Sequence, residues 1–200
     1  MEQTNKELPL EYQTHQDRMT ILAFWIFLGA EIALFSTLFA TYLVLEHRTA
    51  GMFSAKQLFE APKVMMMTFL LLTSSFTCGV AIWYMRRNNA KQLIGWMLVT
   101  LLLGAGFLYM EIAEFTHYVH EGATIQTSAF LSSFFVLTGT HGAHVTLGIC
   151  WALSILYQVM KNGITTTTAR KVFIIGLYWH FLDVVWIFLF TLVYVKGMVG

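Results

Sequence analysis

Five stretches of this chain, at about 19–46, 62–85, 92–116, 128–160 and 170–197, are apolar and long enough to cross a bilayer. The hydrocarbon core needs only about 20 residues of α-helix. In lipid a backbone must satisfy its own N–H and C=O groups, which leaves helices or closed barrels. Runs of this length therefore restrict the chain to an all-α, polytopic membrane protein, a bundle of five transmembrane helices. Composition agrees: 57% of residues are hydrophobic and 12% charged, where a soluble domain is about a quarter charged. The connections 47–61, 86–91, 117–127 and 161–169 are too short for an extramembrane domain. The chain thus divides into a polar N-terminal segment, 1–18, and one five-helix domain, 19–200. The fourth run is the longest, with no Asp, Glu, Lys or Arg anywhere in 122–160. It is expected to tilt, or to begin as a loop at the membrane surface.

Charge placement sets the expected orientation. Lys6, Arg18, Arg86, Arg87, Lys91, Lys161, Arg170 and Lys171 fall on one side of a five-helix path; Arg48, Lys56, Lys63 and Lys196 fall on the other. The positive-inside rule then puts the N-terminus in the cytoplasm and the C-terminus outside. The polar residues 1–18 lack a signal-peptide pattern, so the first helix is expected to act as an uncleaved insertion signal. The net charge of +1 and the absence of a basic stripe exclude nucleic acid as a partner. Cys78 and Cys150 lie in apolar runs and read as helix-packing residues rather than a disulfide. Neither proline, Pro9 or Pro62, is mid-helix, so the broken helices of many transporters are not in view. Small residues four apart in the fourth run, Ser128/Ser132, Gly139/Ala143 and Gly148/Ala152, permit close helix approach. Tyr42, Trp83, Tyr84, Trp96, Tyr118 and Tyr157 fall near helix ends, where an interfacial aromatic belt is expected.

The remaining information lies in polar residues at bilayer depth. A charged side chain there costs at least about 2.5 kcal/mol and needs a partner. His180 and Asp183, three apart between Trp179 and Trp186, are expected to hydrogen-bond along the fifth helix. Glu31, midway along the first, reads either as a proton-exchanging or subunit-contacting carboxylate or as a protonated acid bonded within the bundle. Glu111, Glu114, His117 and His120 recur every three residues on the third. Glu114-x-x-His117 matches the helical pattern of di-iron bundles, but no second copy exists, and the alternative is an interfacial polar ladder. His141 and His144 lie three apart on the fourth helix. They are expected to hydrogen-bond toward the fifth, with Gly139, Gly142 and Ala143 permitting the approach. No serine nucleophile or Gly-rich phosphate loop accompanies these groups.

Three motifs carry a resemblance: 29–31, Gly-Ala-Glu; 139–148, Gly-Thr-His-Gly-Ala-His-Val-Thr-Leu-Gly; and 178–190, Tyr-Trp-His-Phe-Leu-Asp-Val-Val-Trp-Ile-Phe-Leu-Phe. In this order, over about 25–200, the chain resembles subunit III of the haem-copper terminal oxidases. That family's full form has seven helices, and the first two have no counterpart here. The short N-terminus and the 134–142 wording, Phe-Phe-Val-Leu-Thr-Gly-Thr-His-Gly, make the chain look most like the quinol-oxidising branch in bacteria. A cytochrome c oxidase subunit III is the alternative, and a stand-alone di-iron membrane oxidase the alternative from another class.

The resemblance implies a multi-pass protein of the bacterial plasma membrane with no catalytic, cofactor or metal residue of its own. Haem and copper belong to partner subunits, and quinol is the substrate of the complex. The implied partners are the large subunit I, subunit II, a small subunit IV and membrane lipids. Glu31 matches the family's buried glutamate, in a region near the large subunit. Glu31, Glu111, Glu114, His117, His141, His144, His180, Asp183 and Trp186 become candidates for buried polar, subunit or lipid contacts.

Overall fold

The computed structural model describes residues 9–13, 15–49 and 60–199. The charges on Lys6 and Lys56 used above lie outside the described residues. Five helices are long and apolar enough to cross a membrane: α1 His15–Leu45, α2 Ala61–Arg86, α3 Ala90–His120, α4 Ala129–Asn162 and α5 Thr166–Val199. Among the described residues all regular structure is helical. The chain is a five-helix membrane bundle.

Local chemistry sets the ends. Pro62 occupies the first turn of α2, where a missing N–H is harmless. The α2–α3 turn passes through Asn88 at φ 55°, and the Asn89 side chain caps α3 by accepting from Gln92 N–H. Ser128 caps α4 in the same way, accepting from Leu131 N–H. The 34-residue α4 is continuous, and the residues before it form turns. Gly163 at φ 68° ends it, and Thr165 with Thr168 forms a capping box for α5. Near its end α5 widens to π-type bonding over Phe190–Val195, a distortion that re-aims side chains.

The helices pack unequally. α5 is enclosed most, lying against α4, α2 and α1, whereas α1 packs mainly on α4 and α5 and is enclosed least. Hydroxyls on the open face of α1 turn back on their own helix: Ser36 to Ile32 O, Thr37 to Leu34 O and Thr41 to Thr37 O. That removes bare donors from lipid. Inside, Thr77 and Thr100 bond at 2.8 Å between α2 and α3. The indoles of Trp179 and Trp186 donate to Ser74 and Thr68, each at 3.0 Å, joining α5 to α2.

Three packing expectations need correction. Tyr42 and Tyr118 are not in an aromatic belt; they are 1% and 2% exposed, turned into the core. Nearness to a helix end does not fix the direction around the axis. Ala143 faces outward, and Gly142 meets α3 rather than α5, since a Cβ there would come within 2.6 Å of Glu111 Oε2. Gly148 is the α4 glycine that admits α5, against Tyr178. Cys78 is buried, Cys150 exposed, and both are free.

The polar N-terminal segment is also tied to the bundle. A 3-10 turn, Leu10–Tyr12, buries Glu11 completely under Arg86, whose Nε and Nη2 approach Oε1 at 2.9 and 2.8 Å. Tyr12 packs edge-on against Phe173 of α5. Burial, then the adjacent Glu11 charge, push its hydroxyl pKa above the usual value of 10.0, opposed by Arg86. Asp17 pairs with Arg170 across α1 and α5. At the opposite end Lys196 reaches Glu46 at 2.6 Å, so α1 and α5 are clasped at both ends.

Candidate functional site

The bundle interior divides its polar residues into three groups, each built across helices. The first joins α1 to α4. His144 Nε2 lies 3.1 Å from Glu31 Oε2, while its Nδ1 sits 2.7 Å from Thr140 O one turn back. With Nδ1–H donating to that carbonyl, Nε2 accepts, and Glu31 supplies the proton; a charged imidazole donates at both nitrogens instead. Phe35 packs edge-on against the imidazole. His144 was expected to face α5. Its ring turns to α1 instead, and only its carbonyl meets α5, accepting from Tyr178 O–H at 3.1 Å.

The second group fills the space between α3, α4 and α5. Glu114 accepts from Tyr118 O–H at 2.6 Å and from Tyr194 O–H at 3.3 Å. The π-type stretch of α5 carries Tyr194 into this position. Glu111, one turn earlier, is 2% exposed with neither oxygen hydrogen-bonded, and it fills the notch left by Gly142. His141 is fully enclosed. Its Nε2 lies 3.2 Å from Leu182 O, and its ring stacks near Trp186 and Phe107, with centroids 5.4 and 5.7 Å away. Trp186, completely buried, joins this cluster to α2 through Thr68.

The expected four-residue ladder on α3 therefore splits. Glu111 and Glu114 turn inward, while His117 and His120 turn outward, His117 lying 3.5 Å from Glu121. A step of three residues turns the helix by about 300°, which carries the later members off the buried face. Glu114 and His117 do not converge, so the di-iron pattern is not assembled.

The third group lies between α2 and α5. His180 Nδ1 is 2.7 Å from Ser75 Oγ. In place of the expected bond to Asp183, His180 meets Ser75 on another helix, a partner that spacing along α5 cannot reveal. Two grooves flank the outer ridge of α5, and His180 borders both. One, about 750 Å³ between α1 and α5, is apolar, lined by residues such as Trp25, Ile32, Phe39, Phe181 and Phe188. The other, about 590 Å³ between α2 and α5, includes Ser75, Gly79 and Asp183.

His141, His144 and His180 turn to three different helices, bonding to Leu182 O on α5, Glu31 on α1 and Ser75 on α2. Among the described residues no three His, Cys, Asp or Glu side chains converge as a metal site.

Comparison with known proteins fits this bundle. The family model described as cytochrome c oxidase subunit III matches residues 15–198. A quinol oxidase subunit 3 from Bacillus spizizenii is 61% identical over 199 residues, covering 100% of this chain and 98% of that protein. Its Bacillus subtilis counterpart shares the same identity and coverage. A probable quinol oxidase subunit 3 from Staphylococcus saprophyticus is 52% identical over 193 residues, 95% of each chain. With a match running from the first turn of α1 to the last of α5, and relatives aligned almost end to end, the chain belongs to the cytochrome c oxidase subunit III family.

Proposed function

We propose that this chain is the third subunit of a bacterial quinol:oxygen oxidoreductase of the haem-copper type. The complex oxidises quinol, reduces dioxygen to water and contributes to a proton gradient. The observation that carries this reading is the end-to-end likeness to the Bacillus quinol oxidase subunits 3. The same likeness favours quinol over cytochrome c as electron donor, although the family model takes its description from the cytochrome c enzymes.

Within that complex the chain is a non-redox, stabilising subunit. Its buried polar groups bond to one another across helices, which rigidifies a bundle. Haem and copper reside in partner subunits, chiefly the large subunit I, with subunit II and a small subunit IV completing the assembly. Lipids fill the apolar surface. The chain lies in the plasma membrane with its N-terminus in the cytoplasm and its C-terminus outside, as the Lys/Arg distribution supports.

Purification in mild detergent through a tag on this chain tests the proposal. Haem-bearing chains should co-purify, and the preparation should consume oxygen with a quinol and not with reduced cytochrome c. Expressed alone, the chain should bind no stoichiometric iron or copper. Stoichiometric metal in the isolated chain would overturn the reading.

A further inference from the structure

The α2–α5 groove is poorly suited to hydrocarbon. Asp183 stands midway along the 34-residue α5, is 8% exposed, borders the groove, and has no hydrogen-bond partner at Oδ1. The Ser75 hydroxyl is engaged with His180 Nδ1 at 2.7 Å. A hydroxyl carries one proton, so a Ser75 that donates to His180 has none left for Asp183. An unfilled acceptor at bilayer depth is costly. Acyl chains bring no donor, and lipid headgroups lie near the helix ends rather than midway.

The shape of the groove indicates what covers it. Ser75 and Gly79 lie four apart on α2, the small-residue spacing that lets a second helix backbone approach closely in lipid. A Cβ built on Gly79 meets nothing within 4 Å, so the step is open outward and is not used by the bundle's own packing. Leu72, Phe76 and Trp83 border it and are 42%, 70% and 47% exposed, projecting as ridges for a neighbouring helix. The apolar α1–α5 groove differs: its Ser36 hydroxyl is already bonded to Ile32 O, and it suits an acyl chain.

We infer that the α2–α5 groove seats a transmembrane helix of another subunit of the same oxidase. That helix crosses at Ser75 and Gly79 and presents a hydrogen-bond donor to the Asp183 carboxyl where it borders the groove. The inference rests on the subunit reading above and adds the face and the chemistry of the partner.

The test uses the tagged full chain in its native membrane. A photo-crosslinking residue replaces Val80, at the groove, or Tyr109, which is 75% exposed on α3. Val80 should capture another oxidase chain and Tyr109 should not. In parallel, Gly79→Leu fills the step, while Ala105→Leu adds the same bulk to the exposed face of α3. With the chain at normal level in the membrane, Gly79→Leu should lower recovery of haem-bearing chains about tenfold, the effect of overpacking a contact. Ala105→Leu should leave recovery unchanged. Crosslinks from position 80 to phospholipid, to a second copy of this chain or to nothing, while haem-bearing chains still co-purify, overturn this inference alone. A wild-type chain that captures no haem-bearing partner overturns the subunit reading and this inference together.

Discussion

His144 of α4 and Glu31 of α1 meet at 3.1 Å, with only 17% and 14% of their side chains exposed. α1 packs mainly on α4 and α5, and this pair is a polar tie within its membrane-spanning length. Interhelical hydrogen bonds of this kind contribute about 0.6 kcal/mol on average, up to about 1.7. Removing one partner costs more, because the other is left without a bond in a dry setting. Glu31→Leu should therefore destabilise the assembled complex by about 1–3 kcal/mol, and His144→Leu similarly. The double variant should lose less than the sum. Glu31→Gln retains an amide for the imidazole and should keep assembly and most oxygen reduction. A fully assembled Glu31→Gln complex without oxidase activity would show that the carboxyl itself is chemically required.

The glycine contacts separate positions that look alike in sequence. A Cβ on Gly104 would stand 2.7 Å from Trp179 Cζ2, and one on Gly142 would stand 2.6 Å from Glu111 Oε2. The first obstacle is a rigid ring held by its bond to Ser74. Gly104→Ala should cost about 1–3 kcal/mol by overpacking, lowering the midpoint of thermal unfolding of the isolated chain in detergent. Gly29 and Gly95 have nothing within 4 Å, and alanine there should leave that midpoint unchanged in the isolated chain. Equal behaviour of Gly104→Ala and Gly95→Ala would contradict the packing of Trp179 against α3.

Five spans were legible because bilayer thickness acts on length and polarity, which a linear sequence displays directly. The polar residues were legible as residues needing partners, since burial in lipid demands them. Their partners were not. Glu31 and His144 are 113 positions apart, and Ser75 and His180 are 105; no local period links such positions. The Ser75 and Gly79 step is not legible as a docking surface in sequence, because only the fold shows that Gly79 faces open space. The bond from Tyr194 to Glu114 comes from the π-type stretch of α5. No apolar period announces such a widening. Glu11 read as part of a polar segment, and only its pairing with Arg86 makes it a buried residue.

That pairing yields a charge-specific prediction. Arg86 places two donors on one Glu11 oxygen, and Glu11 is fully enclosed. Arg86 is half exposed, so removing it costs less than breaking a fully buried pair, about 1–3 kcal/mol for the enclosed Glu11 oxygen left unpaired. Arg86→Gln should expose the N-terminal segment to protease in inside-out vesicles and lower the thermal midpoint. Arg86→Lys should be intermediate, because an ammonium lacks the guanidinium fork. Replacing Lys63, whose bond to Glu60 is half exposed, should have little effect, since exposed pairs contribute about 0–1 kcal/mol. Protection of the N-terminal segment in Arg86→Gln equal to wild type would contradict the tie.

Orientation can be read at two described turns. Asn88 lies in the α2–α3 turn, beside Arg86 and Arg87, and Gln126 lies between α3 and α4. Positive charge concentrates at the first turn, which the positive-inside rule assigns to the cytoplasm. Cysteines introduced singly at these positions separate the two possibilities. The native Cys78 is buried, and Cys150 sits within a membrane span, so neither should react with a charged, membrane-impermeant maleimide. On intact protoplasts Gln126→Cys should label and Asn88→Cys should not, and lysis should make Asn88→Cys reactive. The reverse pattern would invert the chain. It would then carry Glu11 with Arg86, and Asp17 with Arg170, to the outer surface, because those pairs hold the N-terminal segment at the end of the bundle where Asn88 lies.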